Sequence, residues 1–463
     1  MRALILRYIE ELRASYWFIP AIMCVGATVL AVGITEIDRR VAAEWIDAVQ
    51  WLFPNKPEGA RAVLSTIAGS MITVAATTFS ITIASVTFAS GQFGPRLLNN
   101  FLRDRGNQVA LGTFIATFLY CLLVLRTVRS ADEGTVESGE ALGAFIPNLA
   151  ILLGLLLAVF SIGVLIFFFH HVPRSILISN VVANIGGDLD QKMEDLFPQA
   201  IGEPASEVAR REPEPEWMHA AFVQAEKAGY LESIDEAGLV ETARTWDATF
   251  RLAYRPGDFV SAGQPLVWVV PAAVAEQMTD KVQDAFVWGN QRTPLQDIVF
   301  LFNELIEIAA RALSPGINDP FTAMTCLDWL GNALVGLQNR TFPEAHRYDA
   351  DGHLRVVTEP YTFVGFADIV FGRLRQYFAA DRTAALHMLK VIADVGAGTE
   401  DPERRNVLAQ HAGRLYAACT ALIVIEEDRT ALLSRYQTVL GILKSGDRQR
   451  RLSDRYGWLD ALE

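Results

Sequence analysis

Residues 62–95 read AVLSTIAGSMITVAATTFSITIASVTFASGQFGP. No charge falls between Arg61 and Arg96, a run longer than the roughly 20 residues a helix needs to cross a bilayer. On a helix, Thr66, Ser70, Thr73, Thr77, Ser80, Ala84 and Thr87 recur at alternating spacings of four and three, which sets all seven on one seam. At 1.5 Å per residue the seam runs about 30 Å, the thickness of the hydrocarbon core. Ile67, Met71, Val74, Phe79, Ile81, Ile83 and Val86 occupy the other faces. One side of a membrane helix is thus lined with small, mostly hydroxyl-bearing side chains, and something other than lipid is expected against them. Two readings stay open. Small residues let helices approach closely and each hydroxyl can bond its own backbone four residues back; alternatively, the seam faces water in a pore or substrate path.

Outward from this stretch, three more apolar runs appear. The first spans 14–35, with Tyr16, Trp17 and Phe18 placed as an interfacial belt. The third covers about 106–125, and the fourth about 144–169, with Pro147 near its start. Between the first and second runs, residues 36–61 carry both charge signs with Trp45, Trp51 and Phe53, and read as a short interfacial helix before a turn. Four spans put both termini on one side. The Lys/Arg distribution, seven against six, favours the cytoplasm for both, and the expected location is the inner (plasma) membrane. The first run lacks a small-residue cleavage site and reads as an anchor, not a removed signal.

The chain has 463 residues, enough for a membrane domain plus soluble domains of ordinary size. Its net charge of −13 is unevenly placed. Through Asn180 there are 13 Lys/Arg against 12 Asp/Glu, so the excess sits in the C-terminal part. An acidic soluble region argues against nucleic-acid binding, which calls for a basic face. Cys24, Cys121, Cys326 and Cys419 are too scattered for a disulfide framework or a metal set. The fold class expected is four transmembrane helices plus an α+β soluble region. Its divisions are a membrane domain over 1–173, a stalk helix and linker over 174–227, a small β-module over 228–271 and a mostly helical domain over 272–463.

In the β-module, strands are expected over 229–235, 249–254 and 265–270, with a Pro256-Gly257-Asp258 turn. One extended interruption is expected in the helical domain, near 354–363. There, Thr293, Pro294 and Gln296 suggest a T-x-x-Q capping box. Asp297, Glu304, Glu307 and Arg311 read as a solvated, ion-paired face of the helix that follows. Ser314-Pro315-Gly316 breaks it, and after Asn318 the pair Asp319-Pro320 restarts a helix by cap-plus-proline logic. The two helices should pack as an antiparallel pair. The turn's capping chemistry explains its composition, with a binding role as the alternative.

Several strings resemble the bacterial membrane-protein family catalogued as domain of unknown function 2254. They are Ser70–Pro95 with Arg96-Leu97-Leu98, Asn99–Arg105 running into Gly112–Arg126, His170-His171, and ALSPGINDPFTA at Ala312–Ala323. The resemblance covers nearly the whole chain. It implies a multi-pass membrane protein with a C-terminal soluble part and implies no activity. Phe250–Val269 is also similar to half of a biotinyl/lipoyl-type barrel, but no lysine occurs between Lys227 and Lys281, which removes a carrier role and leaves only a β-module.

Arg96, Arg103 and Arg105 cluster at a span edge, as topology-setting charges or as a basic ring for anions or lipid headgroups. His170 and His171 point about 100° apart on a helix and cannot share a metal, so interfacial anchoring is expected. There is no phosphate-binding glycine loop, H-E-x-x-H, CxxC or nucleophile elbow. No catalytic residue, cofactor or metal is assigned, and an enzyme is the weakest class. Two functions remain. One is a homo-oligomeric channel-like or transport-related protein, self-associating in the lipid bilayer, with a cytosolic regulatory or assembly domain. The other is a membrane-anchored sensor or scaffold whose acidic domain binds a partner.

Overall fold

The computed structural model describes residues 15–40, 56–93, 104–130, 145–196, 214–338, 340 and 342–445. The chain divides into two compact units, one ending at Leu177 and the other beginning at Ile178.

The first unit holds four helices: α1 (Phe18–Arg40), α2 (Pro57–Phe93), α3 (Arg105–Leu125) and α4 (Asn148–Ile176). All four are long and apolar enough to cross a membrane. Each expected span is present; α1 and α4 begin a few residues later than the apolar runs and extend beyond them at the C-terminal end, where polar residues still hold helical geometry. In α1, Glu36 pairs with Arg40 at 2.9 Å and so carries the helix past the apolar run. With 37 residues, α2 is about 55 Å long, well beyond the hydrocarbon thickness.

The helix at the centre is α3. Its apolar window is 56% buried, against 28% or less for the other three, and it packs on α1, α2 and α4. Its interior face is polar as well as apolar. Thr117 and Ser161 share a hydrogen bond at 3.1 Å, and the Tyr120 hydroxyl donates to the Ala150 carbonyl at 2.9 Å. A Cβ added at Gly112 would lie 2.6 Å from Met23 Sδ and 3.2 Å from Pro20 Cα, so the absent side chain is what lets α1 and α3 close up. Asp38, near the end of α1, accepts from the Leu149 and Ala150 amides at 3.0 and 2.9 Å. It thereby caps α4, whose own N-cap is Pro147 with no side chain able to do so.

The second unit begins with α5 (Ile178–Leu196), then runs β1 (Ala221–Gln224), β2 (Gly229–Ile234), α6 (Glu236–Thr245), β3 (Thr249–Leu252), β4 (Phe259–Val260), β5 (Pro265–Val270), α7 (Ala275–Asp284) and β6 (Phe286–Gly289). There follow α8 (Ile298–Ala312), α9 (Pro320–Gln338), β7 (His346–Tyr348), β8 (Leu354–Val357) and α10 (Phe363–Ala367). A π turn (Asp368–Gly372) leads into α11 (Arg373–Phe378), then α12 (Arg382–Ala397), α13 (Pro402–Leu422) and α14 (Glu426–Ser445).

Two sheets form, one with strand order β1-β5-β3-β8-β7 and one with β4-β2-β6. The β3–β8 pair is parallel and the others are antiparallel. Phe250, Leu266, Val267, Val269, Met278 and Val356 fill the core beneath them. The β-module expected at 228–271 is therefore larger. It takes β1 before that range, β6 after it, and β7–β8 from some 80 residues downstream. Only pairing partners can set such a boundary, because β8 completes the edge that β3 would otherwise leave open.

Nor is α5 a stalk. Val182, Ile185, Leu189 and Met193 are buried, α5 packs on α8 and α9, and Asn332 donates to Asp190 at 3.2 Å. Residues 202–213 of the expected linker lie outside the described residues. Helices α8 and α9 pack on each other, as expected of two helices joined by a short turn, and α12, α13 and α14 extend the helical layer.

Candidate functional site

The seam on α2 is uncovered within its own unit. Thr66, Ser70, Thr73, Thr77, Ser80, Ala84 and Thr87 are all exposed, whereas Leu64, Ala68, Met71, Ala75, Thr78, Thr82, Val86 and Ala89 are buried. At 100° per residue the centres of these two sets lie about 180° apart. Thus α2 packs on its neighbours through a face of aliphatic residues and alanines with two threonines, Thr78 and Thr82, and turns the seam hydroxyls away from them. Ile83, at 41% exposure, lies beside the seam, whereas Phe79 borders the packed face and meets Tyr16, with ring centroids 6.1 Å apart. No span of the same chain is therefore packed onto the seam among the described residues.

The hydroxyls are internally satisfied as donors. Thr66, Thr73, Thr77, Ser80 and Thr87 each donate to the carbonyl four residues back, at 2.7–2.9 Å. That local bond removes the cost of an unpaired O–H, and leaves oxygen lone pairs directed outward as acceptors. Polar contacts inside the unit come from Thr117, Ser161 and Tyr120 on α3 and α4, and from Thr82 on the packed face of α2, which meets the Tyr16 hydroxyl. Sequence periodicity alone missed this, because those side chains are spaced among larger apolar ones.

At the start of α3, Arg105 is exposed, while Arg96 and Arg103 lie outside the described residues. Asp104 is the N-cap of α3, accepting from the Gly106 amide at 2.7 Å, and it also receives His171 Nε2 at 2.8 Å. Of the two adjacent histidines, His170 is exposed and His171 is tied down. Phe167 stacks on His171, with ring centroids 5.1 Å apart. His171 is thus held by its hydrogen bond to the Asp104 carboxylate, whereas His170 faces outward.

In the second unit the expected T-x-x-Q box does not form. Helix α8 starts at Ile298 with Asp297 as its cap, accepting from the Phe300 amide at 3.2 Å. Gln296 instead pairs with the backbone of Ile234, accepting at 2.8 Å and donating at 3.2 Å. It therefore serves the end of β2, the middle strand of the smaller sheet. The solvated face also needs correction: Asp297 and Glu304 are 1% and 3% exposed. Arg292 holds Asp297 from Nε at 2.9 Å. Only Glu307 and Arg311 form the expected partly exposed pair, at 3.4 Å.

The Ser314–Pro320 turn behaves as its capping chemistry requires. Ser314 accepts at its carbonyl from the Asn318 amide at 2.9 Å, and Pro315 and Gly316 are exposed. Asn318 takes a left-handed φ of 50°, which asparagine tolerates. Asp319 then caps α9, accepting from the Thr322 amide at 3.1 Å, with Pro320 in the first turn.

A family model described as "Predicted membrane protein (DUF2254)" matches residues 13–394. The chain belongs to this family. It is 31% identical over 387 residues to the uncharacterised protein Rv1290c of Mycobacterium tuberculosis strain H37Rv, covering 82% of this chain and 72% of that protein. The same identity and coverage hold for the uncharacterised protein Mb1321c of Mycobacterium bovis. No solved structure matches. The DUF2254 match runs through all four apolar helices, both sheets and α8 to α11.

Proposed function

We propose that this DUF2254 protein assembles in the plasma membrane as a homo-oligomer in which α2 of each copy lines a shared, water-accessible path. In this reading both termini and the second unit lie in the cytoplasm, where the second unit regulates or stabilises the assembly. The observation that carries it is the placement of the seam. A lipid-depth column of hydroxyl oxygens lies opposite the packed face of α2, and its own unit leaves it uncovered. Further copies supply the cover, as interfaces of small residues between membrane helices do.

The stripe carries no ionisable side chain. Proton-coupled pumps place such groups in their spans, so passive conduction is favoured over coupled transport. Acceptor oxygens held out by back-bonded hydroxyls suit water or a partly dehydrated cation. The sequence carries none of the catalytic motifs sought above, and the reading is accordingly of a non-enzymatic protein.

The test uses the purified full chain in nanodiscs and planar bilayers. A ring-sized oligomer, with current reduced by Thr73→Leu and Thr77→Leu, supports the proposal. A monomer, or an oligomer without current in either form, would leave the anchored-scaffold function as the better one.

A further inference from the structure

The second unit contains a cleft of about 550 Å³ that no part of the conduction reading uses. Four arginines line it: Arg255 from the turn after β3, Arg292 before α8, Arg347 in β7 and Arg373 at the start of α11. Long-range topology brings them together, for β7 reaches the sheet only through β8 and the parallel β3–β8 pairing. The turn holding Arg255 is fixed by Gly257, whose φ is 94° and whose added Cβ would fall 2.2 Å from Asp297 Oδ2. Only glycine can lay backbone against the Asp297–Arg292 pair there.

Asp258, Glu359 and Glu236 line the cleft too, and the four arginines differ in how directly each is paired. Arg255 pairs with Glu359 at 2.8 Å and lies over the Tyr361 ring at 5.0 Å. Arg292 is taken by Asp297. The other two guanidiniums have neutral oxygen partners: Arg347 donates to the Glu344 and His346 carbonyls, and Arg373 to the Asn303 amide oxygen. Arg347 is only 3% exposed, and its Nε has no acceptor among the described residues. Partial burial and then the nearby Arg292 charge both lower the Arg373 pKa, the direction that crowded like charges produce. Glu236 also lines the cleft, and burial lifts its pKa to about 7 although Arg347 pulls it down.

A concave site of this volume, with convergent guanidiniums beside Tyr361 and aliphatic residues such as Leu252 and Val299, has the make-up of a small-molecule pocket. We propose that the cleft binds a small oxyanion-bearing molecule, its phosphoryl or carboxylate group held by Arg373 in the field of Arg347 and Arg292, and its body against Tyr361 and the aliphatic wall. Guanidinium forks match both oxyanions in a bidentate manner. The ligand supplies a negative partner for Arg373, which among the described residues has only the Asn303 amide oxygen. Glu236, beside Asp258 and Glu359 in the lining, is the carboxylate closest in charge coupling to Arg347 and competes with the ligand.

Calorimetry on the full-length protein in detergent tests this, using inorganic phosphate, adenosine monophosphate and citrate at matched ionic strength. Saturable binding of at least one probe is expected, weakened roughly tenfold or more by Arg373→Gln. Preference for phosphate and the nucleotide identifies a phosphoryl ligand; preference for citrate identifies a carboxylate. Because Arg373→Gln could act through folding, Glu236→Gln provides a change of opposite sign, a severalfold tighter site that damage to the fold cannot mimic. No saturable binding of any probe up to about 10 mM, or affinities unchanged in both variants, overturns the proposal. None of these readouts depends on conduction.

Discussion

His171 donates from Nε2 to both oxygens of Asp104, at 2.9 and 2.8 Å, across 67 residues of sequence. The same carboxylate caps α3, so one group ties the end of α4 to the beginning of α3. His171→Ala should destabilise the membrane unit by about 1 kcal/mol, as for other partly exposed pairs. Asp104→Ala should cost about 1–2 kcal/mol, because the helix cap goes too. Gly106→Ala should resemble His171→Ala, since its Cβ would fall 2.6 Å from His171 Nε2. Thermal melting of the detergent-solubilised variants measures all three; equal stability of the Asp104 and His171 variants would contradict the double role.

Asp297→Ala should be far more damaging. It removes the cap of α8 and strands Arg292 beside a buried site, a loss of about 3–5 kcal/mol for a broken buried pair. Asp297→Asn keeps an acceptor for the Phe300 amide and should retain part of that stability. Chemical denaturation followed by tryptophan fluorescence reports the order, and similar midpoints for Asn, Ala and the parent would contradict it.

The buried Glu236 makes a signed prediction about pH. Its folded-state pKa of about 7 lies above the ordinary 4.5. Below about pH 4.5 both states hold the proton, and this group's contribution is fully present. As pH rises from there through about 7 the unfolded chain has released the proton while the folded chain still retains it, so stability falls. Glu236→Gln should flatten this part of the stability–pH curve and leave the variant more stable than the parent at pH 8. A parent whose melting temperature does not fall across the window relative to the variant would exclude it.

Cysteine placed at Thr73 or Thr77, with Cys24, Cys121, Cys326 and Cys419 replaced, gives a direct reading of the seam. Under the conduction proposal a membrane-impermeant thiol reagent labels both positions, while cysteine at Ile72, also exposed but off the stripe, reacts only with a lipid-soluble one. Labelling of Thr73 and Thr77 positions by the lipid-soluble reagent alone would mean that acyl chains cover the hydroxyls.

Much of the membrane unit was legible in the sequence, for a physical reason. A span must satisfy its backbone hydrogen bonds internally and be apolar for about 20 residues, so each helix declares itself locally. The cap at Asp319 and the break at Ser314 are local in the same way. By contrast, Asp297 reads as solvated in the sequence because its role depends on Arg292 and on strand β2, with which Gln296 pairs. Strand β6 went unread because four residues, Phe286–Gly289, carry too little periodic signal to stand out between helices.

The sequence by itself determined that four helices are long and apolar enough to cross a membrane, that one carries a continuous line of small, mostly hydroxyl-bearing residues, and that an acidic α+β region follows. Tertiary structure alone decided which face of α2 packs, that α3 is the buried centre, and that four arginines from separate elements share one cleft. Period and composition are properties of neighbours along the chain. Burial, charge pairing and strand order depend on groups tens to more than a hundred residues apart, and their energies exist only once the chain has brought them together.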